Sequence, residues 1–209
     1  MAELPKPFPP MLLSEVKSPF HKPGWVYEEK YDGYRAVVYK DRSGARIVSR
    51  NLKDLTAQFE EVAAAVARLR APSLILDGEI AVFDEHLVSH LGYLRTSRGG
   101  ERLRTPPVLV AFDCLWVRGK DLRGEPLRRR RILLERELAE AEGPLLAARR
   151  LAPDGLEAWE EVKEHGWEGL IAKDPDSIYE PGARTRSWIK VKYKIRVGWP
   201  GEGIEYTRG

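Results

Sequence analysis

Lys30 lies in the run Glu28-Glu29-Lys30-Tyr31-Asp32-Gly33-Tyr34-Arg35. A lysine at the end of an alternating strand, just before a glycine that opens the backbone, can point into a cleft. There it can act as a nucleophile if burial or nearby cations favour its free amine. The plainer reading is an exposed hairpin of alternating charge, and this run alone weighs the two equally. Leu76-Asp77-Gly78-Glu79-Ile80 sets carboxylates among apolar neighbours, where burial is costly without a partner such as a ribose hydroxyl or hydrated Mg²⁺; its plainer reading is a turn acid meeting solvent. Val110-Ala111-Phe112-Asp113 ends an apolar run on an aromatic that could stack on a base or simply fill the core. Trp167-Glu168-Gly169-Leu170-Ile171-Ala172-Lys173 again puts a charge beside a glycine at a strand start. In Trp188-Ile189-Lys190-Val191-Lys192, two lysines two apart share one strand face. Their mutual repulsion suits an anion between them, or else they blunt a solvated edge strand.

These side chains need elements to aim them. Residues 25–30 alternate like a strand, Gly33 breaks the run, and 34–40 resumes it. Ser43-Gly44 is a turn, with 46–49 as the hairpin partner. Residues 56–69 place Phe59, Val62, Ala63, Val66 and Leu69 at helical spacing. Residues 73–83 read as strands around Asp77-Gly78, and 107–116 as a strongly apolar strand. A charged helix over 127–141 stops at Gly143-Pro144, and 156–165 form another helix. Strands are expected at 169–173 and 187–193, while the Pro-rich first two dozen residues wrap the body without regular structure. The mixture lacks the regular alternation of a doubly wound parallel sheet, so the expected class is α+β, with antiparallel sheets flanked by helices.

Composition bounds the function. The 209 residues, 43% hydrophobic and 32% charged, suit a folded domain with a real core. Cys114 is the only cysteine, which excludes an internal disulfide and a thiolate zinc cluster. A net charge of +3 permits a polyanionic partner without demanding one. Basic residues crowd at 95–104, 128–131 and 190–196. No apolar run approaches the roughly 20 residues of a membrane span, and the start lacks a secretory layout. A cytoplasmic protein without a membrane partner is expected.

Taken in order, Lys-x-Asp-Gly-x-Arg, Asp-Gly-Glu, Phe-Asp, Glu-Gly-x-x-x-Lys and Lys-x-Lys form the signature of covalent nucleotidyltransferases. That superfamily comprises DNA ligases, RNA ligases and mRNA capping enzymes, and the chain resembles it over about residues 10–195. Ser49-Arg50-Asn51 with Asp54, Thr56 and Phe59 is similar to ATP-dependent DNA ligases, as is 119–131 with Pro126-Leu127. Ser177-Ile178-Tyr179 and Gly182-Ala183-Arg184 before Trp188 are similar to the bacterial end-joining ligases of the ligase D type. The resemblance implies a nucleotidyltransferase (ATP-grasp-like) adenylation domain over 1–195. Residues 196–209 then form a short tail, with Gly198-Trp199-Pro200-Gly201 as a loop, in place of an OB-fold domain.

The resemblance also implies roles. Lys30 matches the nucleophile that takes AMP from ATP and passes it to a 5′-phosphate before the 3′-hydroxyl seals the break. Glu28 matches the reader of the adenine amine. Arg35 and Arg50 match ribose or phosphate contacts, and Phe112 the base-stacking aromatic. Glu79 matches a ribose or metal contact and Glu168 a metal-organising carboxylate, with Mg²⁺ or else Mn²⁺ as the ion. Lys190 and Lys192 match the α-phosphate lysines. Nicked or broken duplex DNA is the implied partner, with RNA-containing ends as the alternative and an OB-fold domain or end-joining protein supplied in trans. A rival of another class is a module that binds nucleic-acid ends with impaired sealing; the intact motifs speak against it. Two stretches depart from the family: Ser89-His90-Leu91-Gly92-Tyr93-Leu94-Arg95 lacks the usual aromatic-Leu-Gln pattern, and Asp174 stands where a basic residue is usual.

Overall fold

A computed structural model describes residues 3–95 and 105–193. Among the described residues, ten strands make two sheets. They are β1 (Leu12–Val16), β2 (Val26–Glu29), β3 (Tyr34–Asp41), β4 (Gly44–Ser49), β5 (Leu74–Ala81), β6 (Val108–Val117), β7 (Lys120–Asp121), β8 (Leu145–Ala147), β9 (Gly169–Lys173) and β10 (Arg184–Lys192). The helices are α1 (Glu60–Arg68), α2 (Leu91–Arg95), α3 (Leu127–Leu138) and α4 (Gly155–His165). One sheet runs β1-β10-β9-β2 and the other β4-β3-β5-β6-β7, with β8 added beside β6. Pairing is antiparallel except for β1 with β10 and β6 with β8.

Alternation along the strands builds the layers. On β3, Ala36 and Val38 face the core under α1, whereas Val37 and Tyr39 face the core between the sheets. The inter-sheet core also takes Met11, Val110, Phe112, Tyr179 and Trp188. A third core packs α4 on the smaller sheet through Tyr27, Val162, Trp167, Leu170 and Val191. Every residue of β6 is buried, which is why its sequence is almost continuously apolar. Asp113 is the exception there, and it is neutralised by a bidentate pair with the fully buried Arg130 of α3, at 2.8 Å for each contact.

Three expectations change. Residues Leu12–Val16 are a strand, not an irregular wrap; their partner β10 lies near the other end of the chain, so nothing local announces the pairing. The segment around Asp77-Gly78 is one strand with a register shift between those two residues, and only glycine fits at 78, where a Cβ would meet the Val110 carbonyl oxygen at 2.7 Å. Residues 56–69 begin with a 3-10 turn at Thr56–Gln58 before α1 starts. Of the basic runs expected at 95–104 and 190–196, residues 96–104 and 194–196 lie outside the described residues, as does the tail at 196–209.

Candidate active site

The two sheets converge on Lys30. Its backbone N–H donates to the Gly169 carbonyl at 3.0 Å, which ties the end of β2 to the start of β9 and sets Lys30 beside Glu168. Gly169 has φ +153, and a Cβ there would lie 2.1 Å from the Val191 oxygen, so no side chain fits. Gly33 is needed for a similar reason: a Cβ would lie 2.2 Å from the Ile80 oxygen. Its absence lets the Lys30 turn cross β5 next to Glu79. Asp32 anchors that turn, accepting from Leu91 N–H at 3.1 Å while its own N–H donates to Ser89 Oγ at 2.8 Å. The stretch that departs from the family pattern at 89–95 therefore buttresses the loop that carries Lys30. Asp174, the other departure, caps an exposed turn by accepting from Asp176 N–H.

A cavity of about 110 Å³ lies against Lys30, and its walls include Glu28, Glu29, Arg35, Glu79, Phe112, Lys173 and Trp188. Lys30 Nζ forms an ion pair with Glu168 Oε2. Arg35 and Glu79 oppose each other across the β3–β5 ladder. The Arg35 guanidinium turns to Asp77, with two contacts of 2.6 Å, and the Tyr179 hydroxyl donates to the same carboxylate. Burial pushes the Glu79 carboxyl up to about 7; Arg35 and Lys30 oppose the shift, and the nearby Glu168 and Asp77 reinforce it.

Glu28 is 3% exposed and held by two buried cations, Arg131 Nη1 at 2.9 Å and Lys173 Nζ at 2.5 Å. Lys173 also sits 4.5 Å from the Phe112 ring centre and 4.2 Å from that of Trp188. Burial lowers the affinity of Lys173 for its proton, and Glu28 is the main group restoring it. Phe112 is both wall and core: Arg35 packs over its ring at 4.5 Å, and Trp188 meets it edge-on.

Of the residues singled out in the sequence, Glu28, Lys30, Arg35, Glu79 and Phe112 thus share one cavity. Lys190 and Lys192 do not line it. They gather near Lys30 around Glu15 of β1, with Lys190 Nζ 2.9 Å from that carboxylate, whose proton affinity they lower. Arg50 is exposed and lines an adjoining cleft of about 520 Å³, which shares Arg35 and Glu79 with the first. A cavity of about 680 Å³ between the ends of α1 and α3 holds none of these residues. The basic run at 128–131 divides: Arg130 and Arg131 are buried in ion pairs, while Arg128 and Arg129 are exposed beside Asp176 and Glu125. Among the described residues no cluster of three or more carboxylate, histidine or cysteine groups is poised for a metal, and no helix is long and apolar enough to cross a membrane.

Sequence reasoning did not assign Glu15, Glu29, Arg131, Lys173 or Trp188 to the site. Lys173 ends one quoted motif and Trp188 begins another, so a signal for them was present. Arg131 and Glu28 are 103 residues apart, and nothing local links them.

Residues 10–192 match the model of the ATP dependent DNA ligase domain. The chain belongs to that family. This ligase domain is 36% identical over 189 residues to the multifunctional non-homologous end joining protein LigD of Mycolicibacterium smegmatis, covering 90% of this chain and 24% of that protein. It is 38% identical over 178 residues to a DNA ligase of Pyrobaculum neutrophilum, covering 80% and 30% respectively. A solved structure of mycobacterial DNA ligase D complexed with ATP and MES matches it with a TM-score of 0.77 at 35% identity, over 90% of this chain and 61% of that one. The ligase domain thus spans about a quarter of the length of the end-joining relatives. Its α+β nucleotidyltransferase fold is the one expected from the motifs.

Proposed function

We propose that Lys30 takes AMP from ATP and that the domain passes it to a 5′-phosphate at a nick or break in duplex DNA. The observation that carries this reading is the convergence of five residues from three separated motifs, Lys30 among them, on one cavity. The Lys30 amine, once it has shed its proton, attacks the α-phosphorus; the bond to the β-phosphate oxygen breaks and pyrophosphate leaves. A 5′-phosphate oxygen then attacks the same phosphorus and the bond to Lys30 breaks. Attack by the 3′-hydroxyl on the 5′-phosphate releases AMP. Such transfers rest on positioning and charge neutralisation. Lys190 and Lys192, gathered near Lys30, supply positive charge to the α-phosphate once Glu15 yields. Arg35 and Arg50 border a path from the cavity into the adjoining cleft, which suits a nucleotide too large for about 110 Å³.

Glu79 and Glu168 would hold Mg²⁺, or Mn²⁺ in its place. Two neighbouring carboxylates beside Lys30, one of them pushed up to about 7, fit an added hard cation with oxygen ligands. When bound, the ion draws charge from the phosphate oxygens. We infer a cytoplasmic site of action, where ATP and DNA ends meet, and rejoining of broken DNA as its setting, in line with the relatives' names.

Incubation with α-labelled ATP and a denaturing gel tests the first step. A covalent adduct should form on the wild type and be lost in Lys30→Ala, with mass spectrometry placing AMP on Lys30. AMP on another residue refutes the assignment. Pre-adenylated nicks in DNA and RNA duplexes then separate DNA sealing from RNA-end sealing.

A further inference from the structure

Glu15 lies at the outer end of a row of side chains that crosses the smaller sheet to the cavity beside Lys30. A shift of register between Leu13 and Ser14 brings Glu15 of β1 opposite Lys190 of β10. Lys190 is in turn opposite Ile171 of β9, and Ile171 is opposite Glu28 of β2. Residues paired across a sheet point to the same face, and Ile171 and Glu28 line the cavity. Lys192, further along β10, shares that face and pairs with Gly169, whose carbonyl holds the Lys30 N–H. Glu15 Oε2 lies 2.9 Å from Lys190 Nζ. Lys190, hydrogen-bonded to the carboxylate, lowers its proton affinity; burial opposes this, and the charges of Lys192 and Lys30 add to it. One carboxylate thus lies in the field of all three lysines of the transfer chemistry. Its side chain is 52% exposed and that of Lys190 26%. An ion pair this open to solvent adds little to stability and is readily exchanged for another anion.

We propose that Glu15 is a displaceable stand-in for the α-phosphate: it occupies Lys190 until a nucleotide phosphate takes its place, and it reclaims the lysine as AMP departs. This rests on Lys190 and Lys192 as the α-phosphate lysines. The phosphate of AMP carries more charge and more acceptor oxygens than a carboxylate. It therefore displaces Glu15 from Lys190, but the displaced carboxylate stays close enough to repel it. That repulsion loosens the hold of the site on any phosphate bound there. Each sealing cycle ends with AMP in the cavity, and a like charge beside its phosphate favours release. Glu15 acts through Lys190 and touches no reacting atom, so it is a positioning residue.

The test compares AMP with adenosine, which differs only by lacking the phosphate. Each is titrated calorimetrically into the wild type, Glu15→Gln, Lys190→Gln and the double variant at low salt, and melting curves confirm that each is folded. Glu15→Gln should bind AMP about two- to fivefold more tightly than the wild type, the range of an exposed ion pair, and adenosine equally well. In the Lys190→Gln background the same change should tighten AMP by less. If Glu15→Gln does not fold, Glu15→Ala supplies the same comparison. AMP bound no more tightly by the folded variant overturns the proposal, and weaker binding assigns Glu15 the opposite task of holding Lys190 ready for phosphate. An equal gain for adenosine also overturns it, since no phosphate is then involved. A wild type that prefers AMP to adenosine, with a preference indifferent to Glu15, removes only the role of Glu15. A wild type that does not distinguish the two removes the α-phosphate lysines of the proposed function, and the role of Glu15 with them. An AMP-specific gain in a chain that forms no adduct with ATP supports the role of Glu15 and removes the lysyl-AMP chemistry.

Discussion

Replacing Glu28 with leucine should destabilise the domain more than any other single change at the cavity, because it leaves a buried ammonium without its carboxylate. Glu28 and Lys173 have side-chain exposures of 4% and 2%, and Arg131 5%. The loss is not shared equally. Arg131 keeps Glu135 at 2.9 Å and the Ala148 carbonyl, whereas Lys173 keeps the faces of Phe112 and Trp188 and the charge of Asp113, which Arg130 already pairs. Breaking a buried pair from one side costs about 3–5 kcal/mol. For a chain of this size that lowers Tm by roughly 6–20 °C. Glu28 is the main group holding the Lys173 proton against burial. Without it burial weakens the hold of folded Lys173 on its proton further, so the deficit should be larger at pH 6 than at pH 9. Adding Lys173→Met removes the stranded group and should restore part of the loss. Thermal melting of wild type, Glu28→Leu and Glu28→Leu/Lys173→Met at both pH values measures this directly. A single variant within about 1 kcal/mol of the wild type, or a double variant no more stable than the single, would refute the buried-triad reasoning.

Gly33→Ala should cost at least about 2–3 kcal/mol, because its methyl group meets a backbone oxygen that cannot move without β5; circular dichroism melting reports it, and a neutral result removes the close approach as the reason for this glycine. The Glu29 carboxyl, raised to about 7 from 4.5, keeps its proton in the folded chain between those values while the unfolded chain has lost it. Its contribution to stability is therefore greatest below about pH 4.5 and declines until pH passes 7, by at most about 3 kcal/mol. Glu29→Gln should accordingly gain on the wild type in melting experiments between pH 5 and 8, and a constant difference contradicts the shift. Lys190→Gln or Lys192→Gln should slow adduct formation about 100-fold while leaving Tm within a few degrees; rapid-quench assays that find full rates place the α-phosphate elsewhere.

The ordered motifs made the family legible from sequence through their resemblance to covalent nucleotidyltransferases, although each motif alone also fitted a plainer reading. Strand alternation and helical spacing likewise sufficed for most elements, because those periods are local properties of the backbone. What only the tertiary structure decided depends on distant partners. The pairing of β1 with β10 brings Glu15 against Lys190, and no feature of residues 12–16 encodes that. The arginines at 128–131 look alike in sequence. Their positions on α3 make Arg130 the counter-ion of Asp113 and Arg131 the clamp on Glu28, and leave Arg128 and Arg129 in solvent. Glu28 and Glu29 are adjacent and chemically identical, yet one is saturated and the other retains an unpaired oxygen. Charge and hydrogen-bonding capacity belong to the residue type, but whether they are spent depends on which groups the folded sheets bring within about 3 Å.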